Sequence, residues 1–325
     1  MFLHPSSFLF LTLLVATIFM IVSADSWLMM WIFFEVNLLL FIPLLFSKKS
    51  KYQSEASLKY FLNQAMSSVF ILSSVTFLNA SEPLCYYLLC TAFSLKMGVA
   101  PLHGWLITIS SSISWLSLWL LLIPQKIAPM LIMSMLIKKD YFLLVCVFIV
   151  LSALLGAWGG LTTPSMKKII TYSSIAQMGW LLTSLLSSTI TWITYFIVYS
   201  LITTSITLSL SFMKANKIND LLSSKNKLMK TLMMVNMLAT AGLPPFSGFM
   251  MKLTLVMKTI EVSKSFLLLP LILSSLASLY FYTRVFYMSL MDTAASKTNN
   301  KKIFFEKIII FFNIFSLPVG LLLIY

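Results

Sequence analysis

The chain of 325 residues is 59% hydrophobic, has a mean hydropathy of +0.96 and contains only 10% charged residues. This balance excludes a water-soluble globular protein of that length and indicates a polytopic membrane protein. Apolar runs of about 20 residues, the length needed to cross a bilayer as a helix, recur along the sequence. The ~10-residue alternating segments typical of a membrane β-barrel do not occur.

The net charge of +14 raises the question of a nucleic-acid partner. Most lysines lie in short loops between apolar runs, where cations report membrane topology and contact lipid headgroups. The charge pattern therefore predicts no nucleic-acid binding. Three cysteines lie in apolar segments without a CxxC pair, which predicts small core residues and no zinc or iron–sulfur site. They are Cys85, Cys90 and Cys146.

In chain order, apolar runs and polar breaks predict about eleven membrane spans and hence an all-α protein. The N-terminal segment lacks the basic region and cleavage site of a secretory signal, so we interpret it as the first span. The predicted spans are 7–22, 26–46, 57–78, 84–109, 113–136, 141–160, 166–186, 191–213, 228–258, 264–291 and 303–324.

The loops between these spans differ in lysine content. With eleven spans the termini face opposite sides, so alternate loops share a side of the membrane. Lysines concentrate on the side of the N-terminus, near 48–51, 167–168, 214–230 and 297–307. The lysines predicted on the other side are only Lys138, Lys139, Lys258 and Lys264. The positive-inside rule therefore predicts the N-terminus on the inner side and the C-terminus on the outer side.

Two of the predicted spans contain helix-breaking residues beside a lysine. The ninth holds "GLPPFSGFMMK" (242–252) and the fourth holds "SLKMGVAPLHGW" (94–105). Proline removes a helical hydrogen bond and glycine permits tight turns, so both spans are predicted to be discontinuous. The alternative is that these residues are simply more frequent in membrane helices than in soluble ones. The predicted break residues are Gly98, Pro101, Gly242, Pro244, Pro245 and Gly248.

These two breaks lie five spans apart, so their helices are predicted to run in opposite directions through the bilayer. Discontinuous helices at matching positions are typical of inverted-topology repeats. The sequence therefore predicts a first half of five spans over 1–137, a second half over 138–291, and a loop with a final span over 292–325.

Four ionisable side chains lie deep inside predicted spans. Each costs roughly 2.5 to 3.5 kcal/mol to insert at a helix centre, so their presence implies partners, water or function. A lysine in a low-dielectric site changes charge readily, and broken helices free backbone groups that hold water beside it. The pattern therefore predicts a proton path. The four residues are Glu35, Lys96, Lys126 and Lys252.

Other basic residues near the spans allow two interpretations. Lys59 follows a basic loop and either joins the path or extends to the headgroups. His103 either transfers protons or bonds a backbone carbonyl that the break frees. Arg284, the only arginine, lies near a helix end and is predicted to extend to the headgroups. Because the sequence contains no nucleophile–base pair, phosphate-binding loop or ligand set, we expect no redox or hydrolytic chemistry, cofactor or metal in this chain.

Six segments occur in the order found in one known family. Together they resemble subunit 2 of mitochondrial NADH:ubiquinone oxidoreductase (respiratory complex I), a family of antiporter-like membrane subunits. The likeness runs over about residues 25–285, and the combination is highly specific although each segment alone is weak. The segments are "ADSWLMMWIFFEVNLLLFIPLL", "SEASLKYFLNQA", "LKMGVAPLHGW", "PQKIAP", "YSSIAQMGW" and "GLPPFSGFMMK".

The resemblance implies an antiporter-like fold of two inverted five-helix repeats, and proton translocation driven by quinone reduction elsewhere in the complex. It implies that Glu35 modulates Lys96. It further implies that Lys126 is the central relay lysine and that Lys252 serves the second half. Further proton-transfer candidates are Lys59, His103, Tyr172, Ser173 and Ser174.

One residue departs from the family pattern. Many relatives have a histidine where this sequence has Gln177. Glutamine does not titrate, so a relay through this position needs water or a hydroxyl group of residues 172–174.

The resemblance also implies partners and a location. The partners are other membrane-arm subunits of complex I, including the neighbouring antiporter-like subunit, within the lipid bilayer. NADH, flavin, iron–sulfur clusters and quinone are expected in other subunits, and the basic loops are compatible with a bound phospholipid such as cardiolipin. The chain is expected in the mitochondrial inner membrane, with its N-terminus on the matrix side and its C-terminus on the intermembrane side.

Two alternative functions stay open. The chain could be a structural subunit that braces the membrane arm and moves no protons. It could instead be a stand-alone cation/proton antiporter of the same superfamily, which is expected to have more helices than this chain.

Overall fold

The computed structural model describes residues 5–46, 50–77, 82–137, 142–223, 227–244 and 246–290. Helices account for nearly all of this part of the chain, which contains no strand beyond an isolated antiparallel bridge between Ser165 and Lys217. The predicted all-α class is therefore confirmed. The predicted span 303–324 and Pro245 lie outside the described residues.

The chain divides into two compact units, residues 1–148 and 149–325. The proposed boundary between two inverted halves at residue 137 stays a prediction. Seven helices in the described part of the chain lie wholly within the first unit: α1 (Pro5–Val22), α2 (Trp27–Leu45), α3 (Lys51–Thr76), α4 (Glu82–Met97), α5 (Gly104–Ser110), α6 (Trp115–Leu122) and α7 (Pro124–Leu136). The later helices are α8 (Phe142–Thr162), α9 (Met166–Ser187), α10 (Thr189–Met213), α11 (Asp220–Ser223), α12 (Lys227–Ala241), α13 (Ser247–Glu261) and α14 (Leu268–Leu290), with a short 3-10 turn over Ser265–Leu267.

Seven helical segments in the described part of the chain are long and apolar enough to cross a membrane. They are Pro5–Val22, Trp27–Leu45, Trp115–Leu136, Phe142–Thr162, Met166–Ser187, Thr189–Met213 and Ser265–Ser289. Helix α3 has 26 residues, but its first turns carry Lys51, Glu55 and Lys59. The fourth and ninth predicted spans are each divided into shorter helices, α4 with α5 and α12 with α13. The count of eleven spans stays a prediction.

In the first unit, α3 packs against α2, α4 and α5, and α7 packs against α1, α4 and α6. Three rings connect the helices around α3. The ring centroids of Phe41 and Tyr60 are 5.0 Å apart, and those of Tyr60 and Trp105 are 6.0 Å apart. Aromatic pairs at such separations add stability beyond the area that they bury. They hold α5, the helix after the first break, against α3.

In the second unit, α12 packs against α10, α13 and α14, and α9 packs against the same three helices. Glycines bring α8 onto α9. A Cβ atom at Gly156 would overlap the backbone of Ala176, and one at Gly159 would overlap the ring of Tyr172. Small residues are common where membrane helices approach closely, because dispersion contacts drive their association.

The fifth predicted span, 113–136, contains an interruption that the sequence does not predict. Helix α6 ends at Leu122 and α7 begins at Pro124, with Ile123 between them at φ −120° and ψ −74°. Proline suits the first position of a helix, because its missing N–H group has no helical partner there in any case. The interruption places Lys126 in the first turn of a new helix.

Two basic residues have surroundings that the sequence does not predict. The guanidinium of Arg284 donates to the carbonyls of Gly160, Leu161 and Thr163 at 3.3, 2.7 and 3.0 Å, and its extension to the headgroups stays a prediction. A cation there satisfies carbonyl groups at the end of α8 that have no helical partner. Lys230, which the charge pattern groups with the loop lysines, lies in the first turn of α12 and is 3% exposed.

Candidate functional site

The first break follows α4, which ends at Met97. Gly98 has a φ of +70°, a conformation that costs glycine little because it has no side chain. The N–H groups of Gly98 and of residue 99 donate to the carbonyls of residues 95 and 94, at 3.1 and 2.9 Å. This pair of bonds is a Schellman motif, which leaves the carbonyls of the last two helical residues without helical partners. In α4 these are Lys96 and Met97.

Lys96 lies at this helix end and is 7% exposed. Its ammonium nitrogen is 4.5 Å from the centroid of the Phe34 ring, a distance at which the ring face attracts a cation. The backbone carbonyl of Lys96 accepts a hydrogen bond from the Gln64 amide at 3.4 Å. The indole of Trp105 donates to the carbonyl of Leu95 at 3.2 Å. Side chains from α2, α3 and α5 therefore surround the end of α4.

A small cavity adjoins Lys96. Three amide side chains line it: Asn37, Gln64 and Gln125. The Gln125 amide nitrogen donates to the Asn37 amide oxygen at 2.8 Å, which connects α7 to α2. Its space is about that of one water molecule, and its amide groups could bond such a water beside the ammonium.

Glu35 and Lys126 lie in the same unit as Lys96. The Glu35 carboxylate, on α2 and partly exposed, attracts the ammonium of Lys96 electrostatically. Lys126 is 1% exposed and directly follows Gln125, which lines the cavity. The first unit thus contains three of the four deep ionisable residues that the sequence predicts as a proton path, and it places the charge of Glu35 near Lys96.

The second break follows α12, and its backbone repeats the first. Gly242 has a φ of +87°, and its N–H group donates to the carbonyl of residue 239 at 3.1 Å. The N–H group of Leu243 donates to the carbonyl of residue 238 at 3.4 Å. This is again a Schellman motif, which leaves the carbonyls of Thr240 and Ala241 without helical partners. The residues four positions further on are both prolines, so neither could supply an N–H group.

Lys252, on α13 and 8% exposed, bonds both of these carbonyls. Its ammonium nitrogen lies 2.7 Å from the Ala241 oxygen and 3.3 Å from the Thr240 oxygen. It is also 5.5 Å from the centroid of the Trp180 ring. Carbonyl groups at a helix C-terminus carry partial negative charge, so they stabilise a cation without a full counter-charge.

A chain of side chains extends from the same carbonyl. The Gln177 amide nitrogen donates to the Thr240 oxygen at 3.1 Å, and the Tyr195 hydroxyl donates to the Gln177 amide oxygen at 2.6 Å. These side chains line a small cavity, with room for about one water molecule, together with Tyr199 and Lys252. Sequence reasoning misses Tyr195, because an aromatic residue within an apolar helix carries no signal that separates it from the core.

Gly248 serves a purpose other than the one predicted. The sequence assigns it to the break, but it lies in the first turn of α13. A Cβ atom there would overlap the carbonyl oxygen of Ala239, so glycine is needed for the close approach of α13 to α12. This approach allows Lys252, one turn further along α13, to reach the end of α12. Pro101 lies in the first break and Pro244 in the second.

Lys59 and His103 lie at more exposed positions. The ammonium of Lys59 is 2.6 Å from the Glu55 carboxylate, and both side chains are about half exposed, at 45% and 58%. The hydrogen bond and the charge of Lys59 hold the pKa of Glu55 below its usual value. His103 lies in the first break, with its Nδ1 atom 3.2 Å from the carbonyl oxygen of Pro101.

The three residues with hydroxyl groups before Gln177, residues 172–174, contact groups other than Gln177. Ser173 and Ser174 each donate to the carbonyl three residues earlier in α9, both at 2.7 Å. The ring of Tyr172 packs on Gly159 of α8. On α14, however, the hydroxyl of Tyr282 lies within hydrogen-bonding reach of Ser173 and Thr240.

Comparison with known proteins identifies the family. The family model described as NADH:quinone oxidoreductase/Mrp antiporter, transmembrane, matches residues 24–83 and 78–279. The chain belongs to the NADH:quinone oxidoreductase/Mrp antiporter family. Within this family it is similar to NADH-ubiquinone oxidoreductase chain 2 of Anopheles gambiae, with 35% identity over 297 residues, which are 88% of this chain and 86% of the relative. It is 34% identical over 312 residues to the same chain of Equus asinus, covering 90% and 89%.

Two solved structures share the fold. A chain of respiratory complex I from Thermus thermophilus, with bound aureothin, superposes with a TM-score of 0.89 at 20% identity, covering 98% of this chain and 78% of that chain. A chain of the Mrp complex from Dietzia sp. DQ12-45-1b superposes with a TM-score of 0.79 at 18% identity, covering 89% and 61%. At these identities the likeness extends to the fold alone.

Proposed function

We propose that the chain is an antiporter-like membrane subunit of NADH:ubiquinone oxidoreductase that translocates protons across the mitochondrial inner membrane. Quinone reduction elsewhere in the complex supplies the driving force, and no redox chemistry takes place in this chain. Its partners are other membrane-arm subunits, including a neighbouring antiporter-like subunit. The similarity to NADH-ubiquinone oxidoreductase chain 2 over nearly the whole chain supports this assignment.

One observation carries the proton-handling role: each unit holds a buried lysine at the end of a helix that a Schellman motif closes. Lys96 has a ring face, an amide-lined cavity and the Glu35 charge near it. Lys252 has two carbonyl oxygens. Neither arrangement fixes the lysine in a close ion pair among the described contacts, so each lysine can gain and lose a proton at moderate cost.

We assign roles to the four deep ionisable residues accordingly. Lys96 and Lys252 accept and release protons, and Lys126 relays them. Glu35 favours the charged form of Lys96 and so controls when that lysine holds its proton. Lys59, paired with Glu55 at an exposed position, stays outside the path.

The two breaks also support an inverted repeat. In both, a glycine with positive φ closes the helix with the same two hydrogen bonds. In both, a glutamine amide donates to the carbonyl of the next-to-last helical residue, Gln64 to Lys96 and Gln177 to Thr240. We propose two five-span repeats and a further span, with the N-terminus on the matrix side, as the lysine asymmetry predicts.

The test is the ratio of protons translocated to electrons transferred in membranes that contain the assembled complex. Lys96→Met and Lys252→Met should lower this ratio or the coupled quinone reductase turnover several-fold. NADH oxidation by an artificial acceptor at the flavin site should continue. The control is Lys258→Met, because Lys258 is 48% exposed and pairs with Glu261 at 3.1 Å. Wild-type ratio and turnover in both variants would exclude the lysines from the path.

One observation favours the structural alternative. Lys252 connects α13 to the end of α12 through two hydrogen bonds, which is also how a bracing side chain would act. If this were its only role, Lys252→Met would reduce the amount of assembled complex, while the remaining complex would keep the wild-type ratio of protons to electrons.

A further inference from the structure

We infer that Tyr195 and Gln177 together position the Thr240 carbonyl, which accepts a hydrogen bond from Lys252. In this role residue 177 needs one hydrogen-bond donor, directed to Thr240, and one acceptor, directed to Tyr195. This inference deepens the proposed function and rests on it. Both residues are positioning residues for Lys252, and neither needs to change its charge.

The first step concerns the Thr240 carbonyl, which accepts two hydrogen bonds. One comes from Lys252 at 3.3 Å and the other from Gln177 at 3.1 Å. A carbonyl oxygen has two lone pairs, so these donors saturate it. Because Pro244 lies four residues further on, the backbone offers no donor in their place. The Gln177 amide therefore holds this carbonyl in position whether or not Lys252 bonds it.

The second step concerns the orientation of the amide. A carbonyl only accepts, so the nitrogen of Gln177 must face Thr240 and its oxygen must face the other way. The hydroxyl of Tyr195 donates to that oxygen at 2.6 Å, and both side chains are buried, at 5% and 7% exposed. A flipped amide would set its oxygen against the Thr240 oxygen and remove one of the donors of that carbonyl, which is costly in a buried site. The Thr240 carbonyl therefore fixes the direction of the amide, and the Tyr195 hydroxyl holds the amide in place by bonding its oxygen.

The third step concerns which side chains could replace Gln177 without losing these two hydrogen bonds. A neutral imidazole has one N–H donor and one acceptor nitrogen on opposite sides of the ring. The Gln177 amide offers the same pair, with its donor toward Thr240 and its acceptor toward Tyr195. The arrangement needs no positive charge at residue 177, where a cation would lie close to the ammonium of Lys252.

Other groups near Lys252 do not provide the same link. Tyr199 lines the same cavity, and Tyr282 lies within reach of Ser173 and Thr240. Among the described contacts of these tyrosines, only that of Tyr195 reaches Thr240 through the Gln177 amide. The hydroxyl of Tyr195 is therefore the informative group to remove.

The experiment uses the assembled complex and four variants. Gln177→His retains a donor and an acceptor, whereas Gln177→Leu removes both at similar size. Tyr195→Phe removes a single hydroxyl group. Tyr280→Phe is the matched control, because the side chain of Tyr280 is 63% exposed. Coupled turnover is measured against pH, together with the ratio of protons to electrons.

We expect Gln177→His to keep wild-type turnover and the wild-type pH profile. Tyr195→Phe should lower coupled turnover by about five-fold and Gln177→Leu by about twenty-five-fold, in line with the loss of one and two buried hydrogen bonds of about 1 kcal/mol each. If Gln177→Leu does not assemble, Tyr195→Phe decides, because it removes one atom from a residue that otherwise keeps its shape. Tyr280→Phe should match the wild type.

Two results would overturn the inference. One is wild-type turnover in both Tyr195→Phe and, where it assembles, Gln177→Leu. The other is a new ionisation between about pH 5 and 8 in Gln177→His that changes the rate, since it would show that this position can act by titration. Failure here is distinct from failure of the proposed function: in the latter case Lys252→Met itself would keep the wild-type ratio of protons to electrons.

Discussion

The ammonium nitrogen of Lys252 lies 2.7 Å from the carbonyl oxygen of Ala241, so a side chain of α13 completes the end of α12 across the break. The contact depends on how closely the two helices approach. That approach is set at Gly248, one turn before Lys252 on the same helix, where a Cβ atom would overlap the carbonyl oxygen of Ala239. The backbone of the break and the position of the lysine are therefore coupled.

The first prediction tests this coupling. Gly248→Ala should displace α13 from α12 and destabilise the second unit by about 1–3 kcal/mol, as overpacking does. It should also lower coupled turnover, because Lys252 would then lie too far from the two carbonyls to keep its hydrogen bonds. Gly104→Ala is the control, since a Cβ atom at Gly104 meets nothing within 4 Å. The measurements are the amount of assembled complex and its turnover. Equal values for the two variants would contradict the coupling.

The second prediction concerns Glu35. Glu35→Gln keeps the shape of the side chain but removes the charge that attracts the ammonium of Lys96. The charged form of Lys96 then loses its main electrostatic support in a buried site. We expect coupled quinone reductase activity and proton transfer to fall several-fold, while assembly and flavin-site reduction of artificial acceptors persist. Wild-type values for both activities would reject Glu35 as the modulating group.

The third prediction concerns Lys59. Its partner Glu55 lies one turn away on α3, and both side chains are about half exposed. Exposed ion pairs of this kind contribute little to stability, about 0–1 kcal/mol. Lys59→Met should therefore change neither coupled turnover nor the ratio of protons to electrons, in contrast to Lys96→Met. A comparable loss in both variants would place Lys59 in the proton path.

The fourth prediction concerns Arg284, which donates to three carbonyls at the end of α8. Arg284→Lys keeps the charge but loses the planar fork that reaches several acceptors at once. We expect the second unit to lose about 1–2 kcal/mol of stability in this variant and more in Arg284→Met. Thermal dissociation of the complex measures the effect. If both variants dissociate at the wild-type temperature, the carbonyl contacts do not stabilise the end of α8.

The fifth prediction concerns orientation, for which the lysine asymmetry is the basis. In mitoplasts, where only the intermembrane face is exposed, an impermeant amine reagent should spare Lys214 and Lys217, whose side chains are exposed. It should reach them once the membrane is opened. Modification of Lys214 or Lys217 in sealed mitoplasts would reverse the proposed topology.

Much of the backbone at the site can be predicted from the sequence. Glycine and proline beside Lys96 and Lys252 indicate that a helix ends there, because neither residue continues a helix without cost. The helix boundaries at Met97 and Ala241 follow from this chemistry. The interruption at Ile123 is harder to predict, because proline at the first position of a helix and proline inside a bent helix look alike in a sequence.

The partners of the lysines could not be predicted in the same way. The bond from Tyr195 to Gln177 joins residues 18 positions apart on neighbouring helices, and the bond from Gln177 to Thr240 joins residues 63 apart. In an apolar helix, hydropathy does not distinguish a tyrosine that bonds a buried amide from one that faces lipid. Lys230 is a second case that the sequence does not reveal. The charge pattern assigns it to a loop with the neighbouring lysines, although only 3% of the residue is exposed.

The two hydrogen bonds of Lys252 have a consequence for how this side chain can change its charge. An ammonium group has three hydrogens, and two of them are directed to the carbonyl oxygens of Thr240 and Ala241. A neutral amine still has two hydrogens, which is the number that these oxygens require. The end of α12 therefore keeps its full set of donors after deprotonation, and the hydrogen that leaves is the one that no carbonyl holds.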